Sequence, residues 1–319
     1  MPASGQIGLH TGPTAATAPR TALKARQGTL ARAIGCEGAG LHSGRPVEMR
    51  ILPADDDSGI RFRRTDVARG AGEILARWDS VVDTKLCTVL GNRHGTRIAT
   101  VEHLMAALVG AGVDNAVIEI DGPEIPAMDG SAAPFLDLFA AAGTVEQDTV
   151  RRAIRILKPV CVTEPGKRVA LSPAPDYRLD VTIDFPNRAI ARQTVACSLR
   201  RDAFRRDIAP ARTFGFFEEV AELQAAGYAR GGSLENAVVI CGQTIMNPEG
   251  LRFPDEFVRH KMLDAIGDLF LAGAPILGRF EGVCLGHTLN NRLLKALFAD
   301  PTAWTWEPAP ATTPAPGLH

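Results

Sequence analysis

The stretch that decides the fold is Phe257 to Phe270, FVRHKMLDAIGDLF. Its apolar residues recur at helical spacing and Pro254 lies just upstream, which together predict an α-helix. His260, Asp264 and Asp268 fall four residues apart, so they stack along one face of that helix. A histidine and an aspartate at i and i+4 can hold one zinc ion from a single rigid element. The same spacing also fits a solvated polar stripe on an amphipathic helix.

The composition is that of a globular protein long enough for two domains. The chain has 319 residues, of which 45% are hydrophobic and 22% charged, and its net charge is −1. This near-neutral charge argues against a nucleic-acid partner. There is no run of about 18 apolar residues, so we expect no integral membrane segment. Six cysteines without a CxxC pair predict reduced thiols and a cytoplasmic location.

Both ends of the chain are rich in small residues and proline. Residues 1–28 are predicted to be a disordered extension without the apolar core of a secretion signal, and residues 307–319 a disordered tail. The polar segment 143–148 follows a predicted helix and is the best candidate linker. We therefore expect a first α+β domain at 29–148 and a second at 149–306, with a similar order of elements that suggests a duplication.

A second helix of chemical interest is predicted at 100–110, TVEHLMAALVG. Thr100 is the expected N-cap and Gly110 the expected C-terminal stop. Glu102 and His103 then lie in the first turn, where the helix dipole favours a carboxylate. Glutamate is also common in first turns without any chemical role.

The remaining pattern predicts an alternation of short strands and helices. Strands are expected at 47–51, 60–63, 86–90, 116–120, 153–156, 161–162, 168–171, 179–185 and 282–285. Further helices are expected at 132–142, 216–226 and 290–298.

Together these residues suggest a hydrolytic zinc site. His103, His260 and Asp264 would supply three protein ligands and leave one position open. Glu102 would be the general base for a water molecule, and His287 the general acid or the positive charge that faces the oxyanion. Two histidines and a carboxylate suit iron(II) as well as zinc. Spacing alone does not establish that groups more than 150 positions apart meet in space.

The chain resembles the UDP-3-O-acyl-N-acetylglucosamine deacetylases, the zinc amidases of lipid A synthesis. Seven separate stretches carry the resemblance, in order and along about nine tenths of the chain. They are GLHSG (40–44), TVEHLMAAL (100–108), EIPAMDGSAAPF (124–135), ARTFGF (211–216), RGGSLENA (230–237), HKMLDAIGD (260–268) and GHTLNN (286–291).

The resemblance implies a role for each matching residue. It implies that the zinc ligands are His103, His260 and Asp264 and that Glu102 is the general base. It implies that His287 is the assisting histidine, that Asp268 is the carboxylate supporting it, and that Thr213 provides an oxyanion-binding hydroxyl. Lys261 would be a catalytic-site lysine, and the substrate-binding residues would be Phe214, Gly232 and Ser233. Cys87 matches a cysteine that binds a second, inhibitory zinc in some members, and a buried structural thiol is an equally good interpretation.

The resemblance also implies the fold and the reaction. The expected fold is α+β, with two similar layered sheet-and-helix sandwich domains and the active site between them. An insert at about 213–240 would form an apolar passage for the 3-O-acyl chain. The substrate would be UDP-3-O-(3-hydroxyacyl)-N-acetylglucosamine, hydrolysed by a monomer to acetate and the free amine.

Two functions of other classes stay open at this point. One is a different zinc amidase or peptidase with the same ligands, which would act on N-acyl amino acids. The other is a non-catalytic binding module, which would bind zinc without turnover.

Overall fold

The computed structural model describes residues 25–199 and 201–309. Its helices are α1 (Glu102–Ala111), α2 (Ala133–Ala142), α3 (Arg201–Ala203), α4 (Val220–Ala225), α5 (Glu256–Phe270) and α6 (His287–Ala299). Its strands are β1 (Arg26–Leu30), β2 (Ile34–Ala39), β3 (Pro46–Pro53), β4 (Ile60–Arg64), β5 (Glu73–Leu75), β6 (Val81–Asp83), β7 (Val89–Gly91), β8 (Arg97–Ile98), β9 (Ala116–Ile120), β10 (Thr144–Val150), β11 (Arg152–Ile156), β12 (Val160–Glu164), β13 (Lys167–Ser172), β14 (Arg178–Asp184), β15 (Arg192–Ser198), β16 (Phe214–Phe216), β17 (Val238–Cys241), β18 (Thr244–Ile245), β19 (Ile276–Leu277), β20 (Arg279–Val283) and β21 (Trp304–Pro308).

Two five-stranded sheets form the framework, and their connectivity is the same. The first has the order β2-β3-β9-β4-β5 and the second the order β12-β13-β20-β14-β15. In each sheet the third and fourth strands of that order are parallel and the other neighbours antiparallel. This matching order confirms the predicted α+β class with two similar layered halves.

Alternating side chains anchor each sheet to the core. In β3, Val47, Met49 and Ile51 are buried and the residues between them are mostly exposed. Strand β14 buries Leu179 and Ile183 in the same way, against the side that faces α5. Period-two burial of this kind is why both segments form strands with one covered face.

Helices α1 and α5 pack against each other where the two halves meet. Thirteen of the fifteen residues of α5 are buried, including His260, Asp264 and Asp268, so the alternative of a solvated polar stripe is wrong. Gly267 makes the close approach possible, because a Cβ atom there would overlap the carbonyl group of Glu102.

The predicted boundaries at both ends and at the linker need correction. Strand β1 begins inside the predicted extension, and β21 continues into the predicted tail as far as Pro308. The expected linker at 143–148 forms most of β10, which pairs with β1. Polar residues are tolerated in β10 because much of this strand is exposed. The rest of the predicted extension and tail lies outside the described residues.

The expected end signals of α1 are wrong. Thr100 does not cap the helix, because it adopts a left-handed backbone (φ 60°) and its hydroxyl donates to Glu124 Oε1 at 2.9 Å. The helix continues past Gly110 to Ala111 and is followed by Gly112, which has the left-handed conformation typical of a helix C-terminus. Gly110 is needed for packing, since a Cβ there would overlap the ring of Phe204.

Three other predicted elements differ in detail. The helix expected from Phe216 begins at Val220, because 214–216 pairs in parallel with β17 and a 3-10 turn follows it. The strand expected at 86–90 is shortened to β7, and Leu86 has a left-handed backbone (φ 66°). Helix α6 begins at His287, three residues before the predicted start.

Within residues 25–199 and 201–309, no helix is both long enough and apolar enough to cross a membrane.

Candidate active site

Helices α1 and α5 bring His103, His260 and Asp264 together. Asp264 Oδ1 lies 3.5 Å from His103 Nε2 and 3.3 Å from His260 Nε2. One nitrogen or oxygen from each residue lies within 4.8 Å of the others, and all three side chains are buried. This is the closeness that the sequence could not establish, and it fits three ligands of one metal ion.

The surroundings of these groups support the same interpretation. Asp264 Oδ1 is buried and has no hydrogen-bond partner among the described residues, whereas Oδ2 accepts from Lys261 Nζ at 2.9 Å. His260 Nδ1 donates to the carbonyl of Ala211 at 3.1 Å, which leaves Nε2 directed at the aspartate. An orphaned carboxylate oxygen between two imidazoles is what a metal ion would satisfy.

The protonation of these residues also suits metal binding. Burial lowers the pKa of His260 to about 3, so its imidazole is neutral at ordinary pH. Burial alone would raise the pKa of Asp264, but His260 and Lys261 hold it well below its ordinary value. Metal ligands must be neutral imidazoles and ionised carboxylates, and both residues have that form.

Glu102 lies beside this group in the first turn of α1. Its Oε2 accepts the backbone N–H of Thr88 at 3.1 Å, and its Oε1 lies 3.7 Å from His287 Nε2. Burial raises the pKa of Glu102, which makes its carboxylate a better proton acceptor.

His287 faces Glu102 from the start of α6 and is held by Asp268. Its Nδ1 lies 2.8 Å from Asp268 Oδ2, which also accepts from Asn290 Nδ2 at 2.9 Å. Asp268 Oδ1 accepts the Thr88 hydroxyl at 2.6 Å. Burial lowers the pKa of His287, but the charges of Asp268 and Glu102 outweigh it and raise the pKa to about 10. The imidazole is therefore a cation at neutral pH.

One side of the site is formed by Lys261, Thr213 and Phe214. Burial opposes the charge of Lys261, but Asp264 raises its pKa, so its ammonium persists. Lys261 Nζ lies 5.5 Å from the ring centre of Phe214, which packs edge-on against Phe257. Thr213 is fixed through its backbone, whose N–H donates to the carbonyl of Gly130 at 2.8 Å.

A cavity of 450 Å³ opens from these groups and continues along the residues of the predicted insert. Gly232 and Ser233 line it, as do all the predicted site residues except Asp268, which lies behind His287. Its apolar walls include Phe216, Phe217, Val220, Leu223, Leu234, Val239 and Met246. The structure therefore brings every predicted site residue into one region.

Sequence reasoning missed three residues that support the site. Thr88 joins Glu102 to Asp268, although it lies 180 positions from Asp268 in the chain. Asn290 shares Asp268 Oδ2 with His287, and its place one turn after that histidine was the available signal. His42, which has no predicted role, lines the cavity, and burial lowers its pKa.

Cys87 is buried, and burial raises the pKa of its thiol. A thiol in this setting is a poor source of thiolate, which favours the structural interpretation over a metal ligand.

Two α+β halves that meet at a buried group of two histidines and an aspartate, with a carboxylate and an imidazolium beside it, are the arrangement of a metal-dependent hydrolase. Residues 27–299 match the model of the family LpxC: UDP-3-O-acyl N-acetylglycosamine deacetylase, and the chain belongs to this family. The family resemblance seen in the sequence is thereby confirmed.

Relatives are similar over most of their length. The chain is 54% identical to the UDP-3-O-acyl-N-acetylglucosamine deacetylase of Phenylobacterium zucineum over 267 residues, which cover 84% of the chain and 91% of the relative. It is 48% identical to the deacetylase of Myxococcus xanthus over 283 residues, 89% of the chain and 90% of the relative. It is 46% identical to that of Neisseria gonorrhoeae over 283 residues, 88% and 92% of the two chains.

Proposed function

We propose that the chain removes the N-acetyl group from UDP-3-O-(3-hydroxyacyl)-N-acetylglucosamine, giving acetate and the free amine, in lipid A biosynthesis. The main support is the arrangement of a single cavity. At its polar end lie the two histidines and the aspartate, with Glu102 and His287 beside them, and its remaining wall is mostly apolar. The names of the relatives support the same substrate.

The proposed ligands are His103, His260 and Asp264, and the proposed metal is Zn²⁺, with Fe²⁺ as the alternative for the same donors. When bound, zinc supplies a Lewis acid that polarises the acetamide carbonyl and makes water more acidic. Metal dependence itself is a property of the family to which the chain belongs.

The protein groups then have distinct tasks. Glu102, with its raised pKa, accepts the proton of the attacking water. His287 keeps a proton on Nε2, because Asp268 holds Nδ1 and stabilises the cation. That cation and the Thr213 hydroxyl stabilise the negative charge that develops on the carbonyl oxygen. The departing amine takes its proton from Glu102 or from His287.

The other groups bind and orient the substrate. Lys261 adds a positive charge beside Asp264, and Phe214 supplies a face for the sugar. Gly232 and Ser233 lie where the backbone of the insert borders the cavity, and the apolar wall accommodates the 3-O-acyl chain.

We further propose a division into domains at about 29–148 and 149–306, because each five-stranded sheet falls within one of these ranges, while β1, β10 and β21 run a few residues past the bounds. The cysteines of the described residues are all free, which supports work in a reducing compartment, the cytoplasm. We propose that the enzyme acts there as a monomer.

The test is acetate release from the acylated nucleotide sugar by enzyme treated with chelator, before and after zinc or iron(II) is restored. We expect activity to disappear with the chelator and to return with zinc. N-acyl amino acids serve as competing substrates. Turnover of those alone would favour a different amidase, and metal binding without any turnover would favour the binding module.

A further inference from the structure

Glu124 is a buried carboxylate that lies outside the reacting groups. It is 1% exposed, and no basic side chain of the described residues forms an ion pair with it. Its Oε1 accepts the backbone N–H of His42 at 2.8 Å and the Thr100 hydroxyl at 2.9 Å, and its Oε2 accepts the backbone N–H of Ser43 at 2.7 Å. Because burial of a charge is costly unless it is hydrogen-bonded, these three donors must stay in place together.

The loop at 40–44 is built around this carboxylate. A Cβ atom at Gly40 would overlap the carboxylate of Glu124, so only glycine allows the loop to lie this close. The loop closes on itself through the N–H of Gly44, which donates to the carbonyl of Gly40 at 3.0 Å. The position of the loop is therefore set by Glu124.

The outer side of the same loop holds the insert. The N–H of Gly231 donates to the carbonyl of Leu41 at 3.0 Å, and the N–H of Arg230 donates to the carbonyl of His42 at 3.1 Å. A Cβ at Gly231 would overlap the carbonyl of Gly40. Residues 232 and 233, which follow directly, line the cavity.

Glu124 also contacts the segment that leads into α1. Its backbone forms a bridge with Ala99, and its carboxylate binds Thr100, whose left-handed backbone is costly for a β-branched residue. Thr100 lies two residues before Glu102. One carboxylate thus joins the start of the base-bearing helix to the loop that holds the insert.

We propose that Glu124 is a positioning residue that holds the insert segment 229–233 beside the cavity and thereby sets the preference for an acylated substrate. The acyl preference rests on the proposed function. The position of the insert does not, because it follows from the contacts of Glu124 and the loop alone.

The first test is amide hydrogen exchange on the metal-loaded protein with Glu124→Gln. Glutamine keeps the size of the side chain but replaces one acceptor oxygen by an NH₂ group, which cannot accept from a backbone N–H. We expect amide exchange in 40–44 and 229–233 to become about tenfold faster or more, because one buried N–H donor loses its acceptor. The amides of α5 should remain protected from exchange. Unchanged exchange in 229–233 would overturn the proposal.

Two further variants make this test specific. Gly231→Ala attacks the loop–insert contact from the other side and should increase exchange in the same two segments. Asp114→Asn is the control at a distant carboxylate, since Asp114 accepts the N–H of Gly28 at 2.9 Å and pairs with Arg151 at 2.8 Å, far along the chain from the loop. It should affect β1 and leave 229–233 unchanged.

The second test compares kcat/KM for the acylated nucleotide sugar with that for UDP-N-acetylglucosamine, which lacks the acyl chain. For Glu124→Gln and Gly231→Ala we expect the ratio of the two values to fall about tenfold, and for Asp114→Asn to stay at the wild-type value. An equal loss on both substrates, at unchanged metal content, would overturn the specificity role. A wild-type enzyme that releases acetate from neither substrate would contradict the proposed function instead, and the exchange result would still decide the position of the insert.

Discussion

The two halves of the molecule have the same sheet topology, but they contribute different numbers of residues to the proposed site. In each half, the helix with proposed site residues precedes the strand that joins the sheet last in sequence: α1 precedes β9 in the first half, and α5 precedes β20 in the second. Helix α1 offers Glu102 and His103, both in its first turn. Helix α5 offers residues spread over three turns: His260 and Asp264 lie beside His103 in the proposed metal site, and Asp268 contacts His287.

The helices that follow the last strand differ further. Helix α2 buries Phe135, Leu136 and Phe139 and gives no group to the site. Helix α6 has the same place in the second half and begins with His287. The repeated fold thus supplies a symmetric frame, whereas the proposed catalytic groups are divided unequally and are complete only where the halves meet.

The strongest way to break this comparison is to remove one proposed ligand from each half. We expect His103→Ala and His260→Ala each to lower metal affinity by more than about 100-fold, since loss of even a supporting group costs 10- to 100-fold. Acetate release should fall with it. Metal content after dialysis and acetate release measure the two effects.

Arg259→Gln is the control on α5, since Arg259 neighbours His260 but pairs with Asp255 at 2.6 Å. It should retain metal and activity. If His103→Ala retained both as well, the second half alone would hold the metal and the shared site would be wrong.

The second prediction separates the proton acceptor of the first half from the cation of the second. We expect Glu102→Gln and His287→Ala each to lower kcat by about 10²-fold or more with the metal still bound, because each removes proton transfer or charge stabilisation but no ligand. Steady-state acetate release at saturating substrate, on enzyme of measured metal content, is the assay. An unchanged kcat in either variant would remove that residue from the mechanism.

Local pattern predicted much of the frame. The helical period of 257–270 gave α5 to within one residue, because apolar spacing and burial agree there. Alternation likewise gave the central strands β3, β9 and β14. Strand β10 was missed because its residues are mostly polar and its pairing with β1 joins distant parts of the chain.

The site was predictable only in part for the same reason. The spacing of His260, Asp264 and Asp268 is visible in one helix, but the closeness of His260 and Asp264 to His103 depends on how α1 packs against α5. Thr88 and Glu124 carry no local signal at all, since their partners lie far away in sequence. The family resemblance supplied what spacing could not.

A smaller effect tests how Asp268 acts on His287. In Asp268→Asn the imidazolium loses its main stabilising charge, so the pKa of His287, about 10 in the native protein, should fall towards the ordinary value of about 6.5. The pH at which kcat falls on the alkaline side of its pH profile should decrease by about one unit or more. The pH profile of kcat is the measurement, and Asn290→Ala, which removes only one neutral hydrogen bond to Asp268, is the milder comparison.

The same raised pKa predicts a pH dependence of stability. Because His287 binds its proton more tightly in the folded protein, this contribution is complete below the unfolded pKa of about 6.5 and is lost as the pH rises through about 10. Urea unfolding between pH 6 and pH 10 should show a smaller decline for Asp268→Asn than for the wild type. An identical decline would mean that Asp268 does not hold the proton on His287.

The last prediction concerns the contact between α1 and α5, where the two halves meet, and it changes none of the proposed reacting groups. Gly267→Ala should destabilise the protein by about 3 kcal/mol, because the added methyl group would overlap the carbonyl of Glu102 and push α1 and α5 apart. Gly215→Ala is the matched control, since a Cβ there meets nothing within 4 Å, and it should stay within about 0.5 kcal/mol of the wild type. Urea unfolding measures both. Because Glu102 and His103 lie at this contact, Gly267→Ala should also weaken metal binding. Equal stability of the two variants would contradict the prediction. It would mean that the two halves can move apart without a cost in free energy and that the shared sheet topology does not fix the site.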